Sequence, residues 1–321
     1  MARPCSRPSR SRESFSLNHL YGIVCVVSAA AAFAALDTAT KYVSVAVPFA
    51  IVMWFRFGFQ VLVTAGWLFR TRGVWLIRSV HVRLQLYRGV LLTSSSILAF
   101  FSLKLIPVAD FTALMMLTPL LVMVMAALTL RERISSQRWL LLLLGFVGAM
   151  VIIRPTSGEA SWAFVLPLLL VLTSAGFQLL TYRLAKIDDA VATHLYTGWM
   201  GLGVATALLP WVVQHPSALW LSIPAELGVG VGATAGLLFL IAVCATLGHG
   251  LLILGYARAP VATLTPYLYA QIPFSVLAGW LIFRHQPDSW TLCGIVIVAI
   301  SGVFGTWLTA RERQLDVRLA V

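Results

Sequence analysis

Long apolar runs alternate with short polar connections along almost the whole chain. Scanned with a window of about 19 residues, this pattern predicts ten helices, near 20–43, 48–69, 84–105, 108–130, 137–154, 161–183, 190–213, 228–256, 260–283 and 288–309. A helix needs about 20 apolar residues to cross the hydrocarbon core of a bilayer, and each run is close to that length. The fifth is the shortest, held between Arg138 and Arg154, whose long stems can reach the two interfaces. The expected fold class is an all-α polytopic membrane protein.

Composition closes off the soluble alternatives. Of 321 residues, 60% are hydrophobic and 11% charged, against about 25% charged in soluble domains. After ten spans no large water-soluble domain fits. The net charge of +12 would point to nucleic acid in a soluble protein, but here the bases sit in short segments between apolar runs. With a cytoplasmic N-terminus, 17 of the 23 Lys and Arg residues fall on the inner side and only Lys41, Lys104, Arg154 and Arg284 on the outer. That is the positive-inside bias. It places both termini in the cytoplasm of a bacterial inner-membrane protein and leaves nucleic acid out as a partner. Cys5, Cys25, Cys244 and Cys293 lie far apart with no zinc-type spacing, so no metal or cofactor is expected.

Residues 1–19, rich in Arg, Ser and Pro, read as a disordered cytoplasmic tail, and residues 310–321 as a second tail. Arg3, Arg7, Arg10 and Arg12 ahead of an apolar run and the small-residue stretch Ala29 to Ala35 imitate a cleavable signal peptide. Apolar character continues to Tyr42, too far for a signal core, so the first helix is expected to be retained.

An internal repeat organises the spans. Ile106-Pro107-Val108-Ala109, Thr118-Pro119, Arg131 and Gly148 recur as Ala259-Pro260-Val261-Ala262, Ile272-Pro273, Arg284 and Gly302, at offsets of 153 or 154. This offset carries span four onto nine and five onto ten. The chain therefore divides into five-helix halves, 20–154 and 161–309. Five is odd, so the second half enters the membrane from the opposite side. Inverted repeats of this kind are typical of alternating-access carriers, with sites at the repeat interface near the midplane.

The run Asp37-Thr38-Ala39-Thr40-Lys41-Tyr42, Pro48, Trp54-Phe55-Arg56-Phe57, Thr118-Pro119-Leu120, Leu130-Arg131-Glu132-Arg133, Gly145, Gly148 and Arg154-Pro155 resembles the drug/metabolite transporter superfamily, EamA type. Pro260, Pro273, Gly279-Trp280 and Phe283 fit the same pattern in the second half. The resemblance covers about residues 20 to 310 and implies a ten-helix carrier around a central cavity, with two EamA-like repeats. His285 stands where a glutamate matching Glu132 would make a symmetric pair. Spans one and two most resemble carriers for S-adenosylmethionine uptake, while the wider family includes exporters of amino acids and metallophores and carriers of riboflavin.

Candidate chemistry comes from polar residues at membrane depth. A charge inside a bilayer costs ~2.5–3.5 kcal/mol on insertion scales and so faces a cavity or a partner. Asp37 and Arg56 lie at matching depth, roughly 10 Å from the outer end of spans one and two. Lys41 is one turn above Asp37. These three form either an ion-pair cluster joining two helices or a charged cavity wall that meets the ionic group of a substrate. Thr93, Ser94, Ser95 and Ser96 in span three, and Thr246, Gly248, His249 and Gly250 in span eight, are read first as small-residue helix contacts. His249 is also a candidate proton-coupling group. Trp54, Tyr267 and Gln271 are further cavity candidates, Tyr269 an interface anchor, and Arg88 a residue that snorkels to the cytoplasm. Pro119 and Pro273 are expected to form paired hinges.

These features predict a secondary carrier of a small polar or zwitterionic, amino-acid-like or carboxylate-bearing metabolite. The expected partners are that substrate, the bilayer, a coupling proton and a second copy in a homodimer. An enzyme would require HExxH, paired acids or GxSxG, none of which occurs. A component of a lipid-linked substrate flippase is the alternative carrier reading, and no phosphate-binding GxxxxGK[ST] loop is present.

Overall fold

Backbone in lipid must satisfy its own N–H and C=O groups, so apolar runs fold as helices. The computed structural model describes residues 9–44, 47–71, 79, 81–105, 114–130, 134–153, 165–214, 231–283 and 288–319. The repeat motifs at Ile106 to Ala109, Arg131 to Arg133, Arg154-Pro155 and Arg284-His285 lie outside these residues. In chain order the helices are α1 (Ser9–Val43), α2 (Phe49–Thr71), α3 (Val82–Leu105), α4 (Leu117–Leu130), α5 (Ser136–Ile153), α6 (Val165–Ile187), α7 (Ala190–Gln214), α8 (Val231–Arg258), α9 (Gln271–Phe283) and α10 (Ser289–Leu319). Five of them, α1, α2, α3, α6 and α8, contain segments long and apolar enough to cross a membrane, and α4, α5 and α10 contain shorter apolar ones.

Helix α1 begins at Ser9, inside the segment expected to be an irregular tail, and α10 continues to Leu319. Extending an anchored helix adds a hydrogen bond per residue without a new nucleation step, so polar flanks continue the apolar spans.

Helix contacts recur in corresponding pairs along the chain. Helix α1 packs on α8 as α6 packs on α3. The contact of α2 with α8 has its counterpart in α7 with α3, and that of α1 with α9 in α6 with α4. Two pairs, α2 with α7 and α5 with α10, map onto themselves. Helices α1 and α8 approach closely at glycines: a Cβ on Gly22 would meet the Gly255 carbonyl at 3.3 Å, and one on Gly255 would meet the Gly22 carbonyl at 3.1 Å. Small residues permit such approach between membrane helices.

At the crossing of α2 and α7, a Cβ on Gly201 would lie 2.4 Å from the ring of Phe57. That ring is fully buried, clustered with Phe49, Met53 and Leu92. Gly201→Ala is therefore expected to destabilise the detergent-solubilised protein by about 1–3 kcal/mol through overpacking. Gly203, with nothing within 4 Å of its added Cβ, is the control. A melting temperature for Gly201→Ala equal to that of Gly203→Ala would refute the close fit.

Both proline positions carry a break in the helix. Met116 is a turn residue between the helical pair Leu114-Met115 and α4. In the second half a four-residue turn, Val261–Leu264, and a 3-10 segment, Thr265–Ala270, precede α9. Pro119 and Pro273 are each the third residue after their break. Proline lacks the N–H that would bond the fourth residue before it, so the interruption falls just ahead of it. The Met116 carbonyl accepts the hydroxyl of Tyr269 at 3.2 Å, which joins the two breaks across the repeats.

Candidate functional site

A central cavity of about 460 Å³ is lined by α1, α2, α3, α4, α6, α8, α9 and the 3-10 segment before α9. Its residues come from the second half of α1, the first half of α2, the first half and middle of α6 and the start of α4. It therefore occupies the half of the bundle where α1 ends. The other end is filled by Ile23, Val26, Tyr256, Leu264 and Tyr267. Arg138 Nη1 donates to Thr263 Oγ1 there at 2.8 Å.

Asp37, Lys41, Arg56, Ser95, His249 and Gln271, all singled out in the sequence, do line this cavity. Asp37 is exposed to it, and Gln271 Nε2 donates to Asp37 Oδ2 at 2.7 Å, linking α9 to α1. Arg56 is 8% exposed. Its Nη1 donates to Ser96 Oγ at 3.3 Å, whereas its buried Nε has no partner among the described residues. Asp37 is thus held by Gln271 and Arg56 by Ser96, so the two charges are not consumed by a bond to each other. Thr118 Oγ1, also on the cavity wall, is a second buried polar atom without a partner among the described residues. Buried polar groups are nearly always hydrogen-bonded, so both atoms lack the partner that such groups normally have.

His249 Nδ1 lies 2.9 Å from the Ala245 carbonyl. A carbonyl only accepts, so Nδ1 carries the hydrogen and Nε2 of the neutral ring is an acceptor. The ring meets Phe33 edge-on at 4.9 Å and Phe177 at 5.7 Å. Most other small polar residues of this region serve helix packing: Ser95 Oγ reaches Thr173 Oγ1 on α6 at 2.9 Å, and a Cβ on Gly248 would strike the Phe33 ring at 2.6 Å.

Four assignments from sequence are corrected. Trp54 is turned out of the bundle, 40% exposed and edge-on to Phe55, because α2 directs Met53 and Arg56 inward instead. Tyr267 is buried in the closed end rather than in the cavity. Arg88 does not snorkel: it is fully buried, with Nε donating to Thr181 Oγ1 at 2.7 Å and Nη1 to the Thr193 carbonyl at 3.1 Å. Tyr269, read as an interface anchor, is also fully buried. Several wall residues had no marker in the sequence, among them Phe33, Phe49, Phe177, Met115 and Met116. They sit in apolar runs where either face could point inward.

Residues 20–154 match the EamA-like transporter family. Over 285 residues the chain is 29% identical to a riboflavin transporter of Rhizobium johnstonii, covering 88% of this chain and 90% of that one. It is 28% identical to a pseudopaline exporter of Pseudomonas aeruginosa, covering 87% and 94%. It is 24% identical to an S-adenosylmethionine uptake transporter of Rickettsia felis, covering 89% and 92%. A solved crystal structure superposes with a TM-score of 0.71 at 17% identity, over 94% of this chain and 99% of that one. A first part that matches the EamA-like transporter family, together with relatives named as transporters along most of the chain, supports a multi-pass inner-membrane transporter of a small molecule rather than an enzyme.

Proposed function

We propose that the chain is an EamA-type carrier and moves a zwitterionic or carboxylate-bearing metabolite by alternating access between two inverted five-helix halves. The carrying observation is the pair of charges on one cavity, the Arg56 guanidinium with an unpartnered buried Nε among the described residues and the accessible Asp37 carboxylate. A guanidinium presents a planar fork suited to a carboxylate. Asp37 offers a place for an amino group or a proton. A cavity of about 460 Å³ lies within the usual range for metabolite-sized ligands. With both termini in the cytoplasm, a cavity at the end where α1 finishes is open toward the outside. Comparative metabolomics of cells lacking or overproducing the protein, followed by uptake of the best hit into proteoliposomes, tests this reading. The expected hit is water-soluble and carries a carboxylate; transport confined to lipid-linked compounds would overturn it.

Topology is a separate expectation. Cysteine labelling should place positions 76, 134 and 186 inside and positions 45, 157 and 217 outside. Reversal of any one of these breaks the inverted arrangement.

A further inference from the structure

A second guanidinium lies beneath the floor of the cavity. Arg88 on α3 is fully buried and, among the described residues, bonds only neutral groups: Thr181 on α6, and the Thr193 carbonyl and the Thr197 hydroxyl on α7. The carboxylate of this hydrogen-bonded chain, Asp188, is reached only through Gln85 and Thr193, and it is itself bound by Ser79 and Gln85. A guanidinium keeps its proton, so α3 holds a positive charge inside the bundle that dipoles alone offset. Joining three helices needs no ion, because a neutral donor would serve without the cost of desolvating a charge.

One ring touches both this charge and the cavity. Phe177 lines the cavity, stands 4.6 Å from the Arg88 guanidinium at its centroid, and meets the edge of His249 at 5.7 Å. Arg56 is seven residues past the start of α2 and Arg88 six past the start of α3. At a rise of about 1.5 Å per residue they lie roughly 10 and 9 Å from opposite ends of the bundle.

We propose that Arg88 is a second anion station, which takes the carboxylate of the substrate when Phe177 moves aside and the bundle opens at the end where α1 begins. This rests on the carrier reading above. Arg56 would hold the anionic group in the conformation described here, and Arg88 in the opposite one, so that the group meets a fixed positive charge from either side.

The test places a cysteine beside each guanidinium in the full-length protein, in inside-out and right-side-out membrane vesicles, with each cysteine read separately by peptide mass spectrometry. The probes are two membrane-impermeant methanethiosulfonates, sulfonatoethyl (anionic) and trimethylammonioethyl (cationic), with rates normalised to free cysteine. For Thr181→Cys, or Thr197→Cys if the first does not reach the membrane, labelling is expected only in inside-out vesicles. The anionic reagent should be favoured by about tenfold or more, since a fixed charge with low-dielectric walls concentrates counterions. Arg88→Gln should bring that ratio close to one. Two results would overturn the proposal: a folded protein unlabelled from both sides, as a structural brace predicts, or labelling whose charge preference is absent or survives Arg88→Gln. Ser96→Cys, with and without Arg56→Gln, reports on the outer site alone in right-side-out vesicles. Its failure would remove the Arg56 assignment while leaving the Arg88 result standing.

Discussion

Replacing Arg56 with glutamine is expected to abolish substrate binding in a protein that still folds. Losing one charged partner of a buried, hydrogen-bonded carboxylate costs about 3 kcal/mol or more, which is roughly a hundredfold or greater loss of affinity. The surroundings of Arg56 make this separable from a loss of fold. Its bond to the protein is one 3.3 Å donation to Ser96, and Asp37 keeps its 2.7 Å bond to Gln271 and its access to the cavity when Arg56 is gone. The melting temperature of Arg56→Gln in detergent should therefore stay near the wild-type value. Asp37→Asn removes a titrating carboxyl and should change the pH dependence of transport. A structural ion pair predicts the reverse: each single variant leaves a buried charge unpaired and melts early, while the double variant recovers. Recovered stability together with wild-type transport in the double variant would refute the substrate role.

The sequence made the helical runs legible, because a bilayer fixes span length, and its offset of 153 or 154 residues between Pro119 and Pro273, Arg131 and Arg284, and Gly148 and Gly302 is what suggests two halves. Depth was legible too, since charge is costly in hydrocarbon, and Asp37, Arg56 and Gln271 do share one cavity. Direction was not. In a soluble helix the polar face marks the outside, but in lipid both the outward face and the packed face are apolar. Trp54 and Met53 are neighbours in the chain and differ only in which way α2 turns them. Phe177 looks like any other span residue until α3 and α8 place Arg88 and His249 around it. Arg88 was misjudged for a related reason. Snorkelling is open to an arginine facing lipid near an interface, whereas Arg88 faces Thr181 and Thr197, whose hydroxyls supply partners inside the bundle.

Replacing Pro119 and Pro273 together with alanine is expected to slow transport far more than it weakens substrate binding. Each proline withholds one backbone hydrogen bond, and the breaks ahead of them interrupt the same span in both halves. Alanine would restore that bond and favour continuous helix through the break. At about 1 kcal/mol per recovered bond, two bonds would stabilise one limiting conformation by about 2 kcal/mol, which corresponds to a roughly 30-fold slower exchange. Tyr269 ties the breaks together through the Met116 carbonyl, so straightening one is expected to strain the other, and the double variant should be slower than either single. Pro119 lines the cavity and Pro273 does not. Pro273→Ala therefore reads the hinge without touching the substrate, and its half-saturation concentration should stay close to wild type while its turnover falls. An intact turnover with collapsed affinity in the double variant would make the prolines part of the site and remove the hinge.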